Sequence, residues 1–153
     1  MITSLLLLAV VSISGKAKVD DALLHGLPEV EAVLTAHGTS QKCTGPSLIS
    51  VLDRLGYPTG KNLRGPALAT GFVVRGRDGY AVLFSLGELD GELGATRAIV
   101  ATSCDGKAIP ETEGPFRLVV PDEVRASRSV RQVDSIEPVL SLPPNEASER
   151  RSH

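Results

Sequence analysis

Tryptophan is absent from this chain, methionine occurs once, cysteine twice and histidine three times. A structural zinc cage takes four Cys or His ligands, so it would consume nearly the whole stock. The two tyrosines and three phenylalanines (Tyr57, Tyr80, Phe72, Phe84 and Phe116) are too few for an aromatic stacking platform. A basic excess is also missing: 16 Lys and Arg stand against 18 Asp and Glu, a formal net charge of −2, so no nucleic acid is expected as a partner. With 153 residues the chain suits one domain and leaves no room for a dinucleotide fold beside a substrate domain. Its longest apolar run, Leu5–Val11, is far short of the roughly 20 residues that span a bilayer.

That run does have the form of the apolar core of a secretory signal peptide, and Gly15-Lys16-Ala17 offers a small-x-small cleavage site. No Lys or Arg precedes Lys16, so the usual basic leader is missing; the alternative is a cytosolic chain with Val10–Ser14 as a buried first strand. Residues 1–17 are read as a signal peptide, 18–139 as the domain and 140–153 as a disordered tail with no apolar period. The expected location is therefore periplasmic or secreted, with no membrane span in the mature chain. Cys43 and Cys104 follow no metal-binding spacing. They are read as free thiols, with one disulfide as the alternative in an exported protein and a functional thiol as a third.

Along the chain, Val30–Ala36 reads as a strand. A helix of about ten residues follows, with Thr44 or Gly45 as cap, Pro46 in its first turn and Gly56 as its stop. Its apolar stripe is Leu48, Val51, Leu52 and Leu55. Gly56–Asn62 superficially resembles a phosphate loop but has the wrong glycine spacing and an Asn where a Ser or Thr belongs, so that reading is rejected. Gly71–Gly76 and Tyr80–Leu86 flank Asp78-Gly79, and Arg97–Ser103 precedes Asp105-Gly106; both Asp-Gly pairs predict two-residue hairpin turns. Ser85-Leu-Gly-Glu88 is a capping box. Phe116–Val120 and Val130–Ile136 are the last strand candidates, and the whole predicts an α+β chain without regular βαβ alternation.

Two features could carry chemistry. His37, just past a predicted strand, could bind an anion, act as acid or base, or simply cap a turn, and the structural role is favoured. Arg117, Arg125, Arg128 and Arg131 crowd into 15 residues beside Ser127 and Ser129. Guanidinium forks match phosphate and oxyanion geometry, so a phosphate-bearing cofactor or small anion would suit them; a solvated loop with scattered ion pairs is the alternative.

From His37 to about Val139 the chain resembles the oxidoreductase molybdopterin-binding domain, the cofactor domain of the sulfite oxidase family, and in particular its small stand-alone exported members. The resemblance rests on Gly45-Pro-Ser-Leu48-Ile-Ser-Val-Leu52, on Asp78–Leu89, and most specifically on Asp105-Gly-Lys-Ala-Ile-Pro followed by Glu113-Gly-Pro-Phe-Arg117-Leu-Val-Val-Pro121 and Ser129-Val-Arg131-Gln-Val-Asp-Ser-Ile136. It implies an α+β fold with mixed sheets and few short helices, a molybdenum–molybdopterin cofactor with His37, Arg128 and Arg131 in its pocket, and a redox partner protein. Members that catalyse place a cysteine thiolate on molybdenum at the end of the early strand, where this chain reads Leu34-Thr-Ala-His37-Gly38-Thr. Cys43 falls some six residues later and is not expected to be a metal ligand; Gln132 stands where the family has Trp. The resemblance therefore implies either a molybdenum-cofactor oxidoreductase lacking its expected ligand, or a non-catalytic exported module that reuses an Arg-lined cleft for a small anion or a protein partner. A structural or interaction domain without a ligand pocket is the third reading.

Overall fold

The structure, a computed structural model, describes residues 15–139. The expected signal peptide lies almost wholly outside these residues, as do the candidate strand Val10–Ser14 and the tail 140–153. In chain order the elements are β1 (Ala17–Lys18), α1 (Asp21–Leu24), β2 (Glu29–Ala36), β3 (Thr39–Pro46), α2 (Leu48–Arg54), β4 (Gly71–Gly76), β5 (Ala81–Ser85), α3 (Leu86–Leu89), β6 (Ile99–Ala101), β7 (Ser103–Cys104), β8 (Lys107–Ala108), β9 (Arg117–Val119) and β10 (Val133–Val139). The α+β class expected from sequence is what is found. The described strand pairings are all antiparallel, where the resemblance implied mixed sheets. Three of the seven pairings, β2–β3, β4–β5 and β7–β8, are hairpins, which need no parallel crossover.

One sheet has the order β1-β10-β4-β5, a second β2-β3-β7-β8, and β6 pairs with β9. The larger core packs α2 (Leu48, Val51, Leu52) against Phe72, Val74, Phe84 and Ile136 of the first sheet. A smaller core joins Ala32, Leu34 and Cys43 to Ile99, Ala101, Ile109 and Val119.

Local chemistry explains the element ends. Ser47, not Thr44 or Gly45, caps α2 by accepting from the Ser50 N–H at 3.3 Å. The residues expected to open the helix belong instead to β3, which pairs with β2 through Pro46. Gly56 (φ 92°) ends the helix: its N–H reaches the Asp53 carbonyl and that of Tyr57 the Leu52 carbonyl, each at 3.0 Å. Asp105 and Gly106, both at positive φ, form the expected two-residue turn between β7 and β8. Between β4 and β5 only Gly79 is left-handed, and the Gly76 N–H bonds the Tyr80 carbonyl at 2.9 Å, so this loop is one residue longer than expected. The capping box forms as read, with Ser85 and Glu88 bonding each other's backbone N–H.

Cys43 and Cys104 are not free. They are opposite residues of β3 and β7, with Cα atoms 4.0 Å apart, and are joined as a disulfide. The disulfide, the alternative to free thiols in the sequence reading, is the one that forms; the β3–β7 pairing that brings the two cysteines together was not expected, because the polar segment around Cys43 does not look like a strand.

Candidate anion-binding cleft

Residue 37 sits at the tip of the β2–β3 hairpin. His37 (φ 52°) and Gly38 (φ 75°) are its two central residues, a mirror-image turn that favours Gly, Asn or Asp and here places an exposed imidazole. Opposite stands the segment that returns from β9 to β10. It is tied to β9 by the Leu118 N–H on the Val130 carbonyl at 2.9 Å and the Val120 N–H on Ser129 Oγ at 3.1 Å. Tyr80, from the β4–β5 loop, donates its hydroxyl to the Ser127 carbonyl. The three pieces enclose a cleft of about 650 Å³ whose charged lining is His37, Asp78, Arg117, Arg125 and Arg131.

Arg117 is the unusual member. It lies on β9 with its neighbours buried and is itself only 5% exposed. Its Nη1 donates to Glu113 Oε2 at 2.6 Å, while its buried Nε–H has no partner. A charged group taken out of water with a donor unmet is costly. Glu113 also faces Arg131, whose Nε lies 3.8 Å from Oε1 and whose side chain is 55% exposed. Arg125 is exposed and makes no ion pair among the described residues. The three arginines outnumber the carboxylates of Asp78 and Glu113, so the cleft keeps an excess positive charge at neutral pH even with His37 uncharged.

His37 and Arg131, two of the three residues implied by the resemblance, thus meet in one cleft. Arg128 lies outside its lining. It ion-pairs with Glu88 at 3.1 Å and with Glu123, donates to the Leu83 carbonyl, and stands 4.3 Å from the centre of the Phe84 ring. Burial alone would lower its pKa, but the bonds to Glu123 and Glu88 outweigh that and raise it. Gln132, at the family's Trp position, turns its amide to the Glu111 carbonyl at 2.7 Å. Asp78 and Tyr80 were read from sequence only as hairpin residues; no local signal marks them, since they reach the cleft through the β4–β5 loop. Arg117 did carry a signal: an arginine inside an apolar strand, four residues from Glu113, needs a partner or a ligand.

No family model and no curated protein matches the chain.

The molybdenum cofactor implied by the resemblance makes two demands on the protein. Its phosphate would find suitable donors in His37, Arg117, Arg125 and Arg131. Its metal end does not fit. Cys43 is fully buried and its sulfur is bonded to Cys104, so it offers no thiolate. Among the described residues no three His, Cys, Asp or Glu side chains are grouped to hold a metal ion.

Proposed function

We propose that this chain is an exported, non-catalytic binding module whose arginine-lined cleft takes a small anion, phosphate or a phosphate-bearing group. The observation that carries the reading is Arg117, a buried guanidinium with an unmet Nε–H at a cleft that also gathers Arg125, Arg131 and His37. Positive charge concentrated in a concave site is the arrangement that captures oxyanions. The resemblance to the molybdopterin-binding domain agrees with a phosphate-sized ligand. Redox catalysis, the other reading the resemblance allows, lacks a protein thiolate, because Cys43 is held in the disulfide. Export is supported by that same bond, since structural disulfides persist in oxidising compartments. No described helix is long and apolar enough to cross a membrane.

The test is calorimetric titration of the full chain with inorganic phosphate at low ionic strength. Saturable binding is expected, weakened about tenfold by Arg131→Ala and by Arg125→Ala, the loss of one charge-assisted bond each. Both side chains are exposed, so the fold survives their removal. A binding isotherm identical in the wild type and both variants would overturn the reading.

A further inference from the structure

The rejected phosphate loop builds a second site of different chemistry. Residues 56–70 fold back on the end of α2 and enclose a cleft of about 550 Å³, lined chiefly by Asp53, Tyr57, Pro58, Thr59, Asn62 and Thr70. The walls are fixed. Buried Asp90 takes the Gly60 N–H on Oδ2 at 2.7 Å, Thr59 Oγ1 donates to Asp53 Oδ1 at 3.0 Å, and the Leu63 N–H bonds the Gly60 carbonyl at 3.0 Å. No Lys or Arg is among the lining residues: Lys61 lies in the loop but outside the cleft. An anion would therefore meet the Asp53 carboxylate with no cation to offset it, which separates this site from the arginine cleft.

Tyr57 gives the cleft a hydroxyl on a rigidly held ring. Its side chain is nine-tenths buried, with the ring edge-on to Phe72 at 6.0 Å between centres, and it still lines the cleft. Desolvation raises its pKa to about 12, so the phenol stays protonated through the physiological range. Its hydroxyl makes no hydrogen bond within the described protein. The hydroxyl is not one of the buried unpartnered atoms, so it reaches the open side of the cleft, where water or a ligand can meet it. The Asn62 amide and the Thr70 hydroxyl lie in the same cleft, also without a described side-chain bond, and Asp53 Oδ2 remains unused. One carboxylate, one amide and two hydroxyls, together with the apolar Pro58 and Ala67, offer both donors and acceptors but no net attraction for an anion.

We infer that this cleft binds a neutral, polyhydroxylated ring of the monosaccharide or cyclitol class, with Asp53 accepting from vicinal hydroxyls and Tyr57, Asn62 and Thr70 completing the set. A weak affinity, with Kd on the order of 1 mM, is what a handful of hydrogen bonds exposed to water supplies.

The experiment is a titration of the full, 15N-labelled chain with D-glucose, D-galactose and myo-inositol separately, followed by amide NMR shifts. At least one is expected to move the amides of Tyr57, Gly60, Asn62 and Thr70 saturably. Tyr57→Phe and Asp53→Asn, which keep the ring and the side-chain shape, are each expected to weaken that binding at least fivefold, and neither alters binding of inorganic phosphate at the arginine cleft. Ethylammonium chloride is the competing probe. The proposal is overturned if none of the three polyols gives saturable shifts, if ethylammonium saturates these amides and the polyols do not, or if both variants bind as the wild type does.

Discussion

Four arginines close together in sequence end in three different situations. Arg117 is buried and half-paired, Arg125 and Arg131 stand at the cleft, and Arg128 is built into the surface of the first sheet. Their concentration was legible in the sequence; their division of labour was not. What assigns Arg128 is a pair of contacts across long sequence distances, to Glu88 forty residues away and to the Phe84 ring. Arg128→Ala is therefore expected to act on stability. With its side chain 29% exposed, the lost ion pairs and ring contact together cost about 1–3 kcal/mol, between the values for surface and buried pairs. Urea unfolding measures that loss, and phosphate titration of the folded variant is expected to match the wild type. A variant of unchanged stability that no longer bound phosphate would place Arg128 in the cleft after all.

At the level of elements, reading succeeded where chemistry is local. The Ser85–Glu88 capping box, the Asp105-Gly106 turn, the Gly56 stop and the apolar stripe of α2 each depend on residues within one or two turns of chain. The strand β3 escaped because Thr39–Pro46 holds no apolar alternation and contains both Gly and Pro, which strands disfavour. It is a strand because β2 imposes it, with eight residue pairs in register. Gly45 shows what that pairing demands. A Cβ built there would lie 2.0 Å from the Val100 carbonyl oxygen and 2.8 Å from the Ala101 Cα, both backbone atoms that cannot swing away. The sequence suggested Gly45 as a helix cap; the structure uses it to let β3 approach β6. Gly45→Ala is accordingly expected to destabilise the fold by about 2–4 kcal/mol through backbone displacement in the smaller core. Gly38→Ala, at a turn with open space around it, carries only the strain of its positive φ, about 1–2 kcal/mol. Thermal melts of the two variants side by side test the contrast, and a Gly45→Ala protein as stable as the wild type would show that the approach of β3 to β6 is not fixed.

The described residues form two cores with no obvious seam between them. β6 and β9 lie between the cores and feed both by alternation: Val100 and Leu118 face the larger, while Ile99, Ala101 and Val119 face the smaller. Neither core can open without exposing one face of this shared pair, so unfolding of one exposes apolar surface of the other. The disulfide lies entirely on the smaller side, linking β3 to β7 across 61 residues of chain. If the cores were separate units, reducing it would loosen only the β2–β3 hairpin and the neighbouring strands. Because they share β6 and β9, reduction is expected to lower the stability of the whole chain by about 2–4 kcal/mol while leaving one cooperative transition. Native-state hydrogen exchange with and without a dithiol reductant measures this at separate positions. The amides of Val74 in the larger core and Leu34 in the smaller are expected to lose protection by equal amounts. Loss confined to Leu34 and its neighbours would show instead that the hairpin carrying His37 opens on its own, and that the disulfide holds one wall of the arginine cleft rather than the fold.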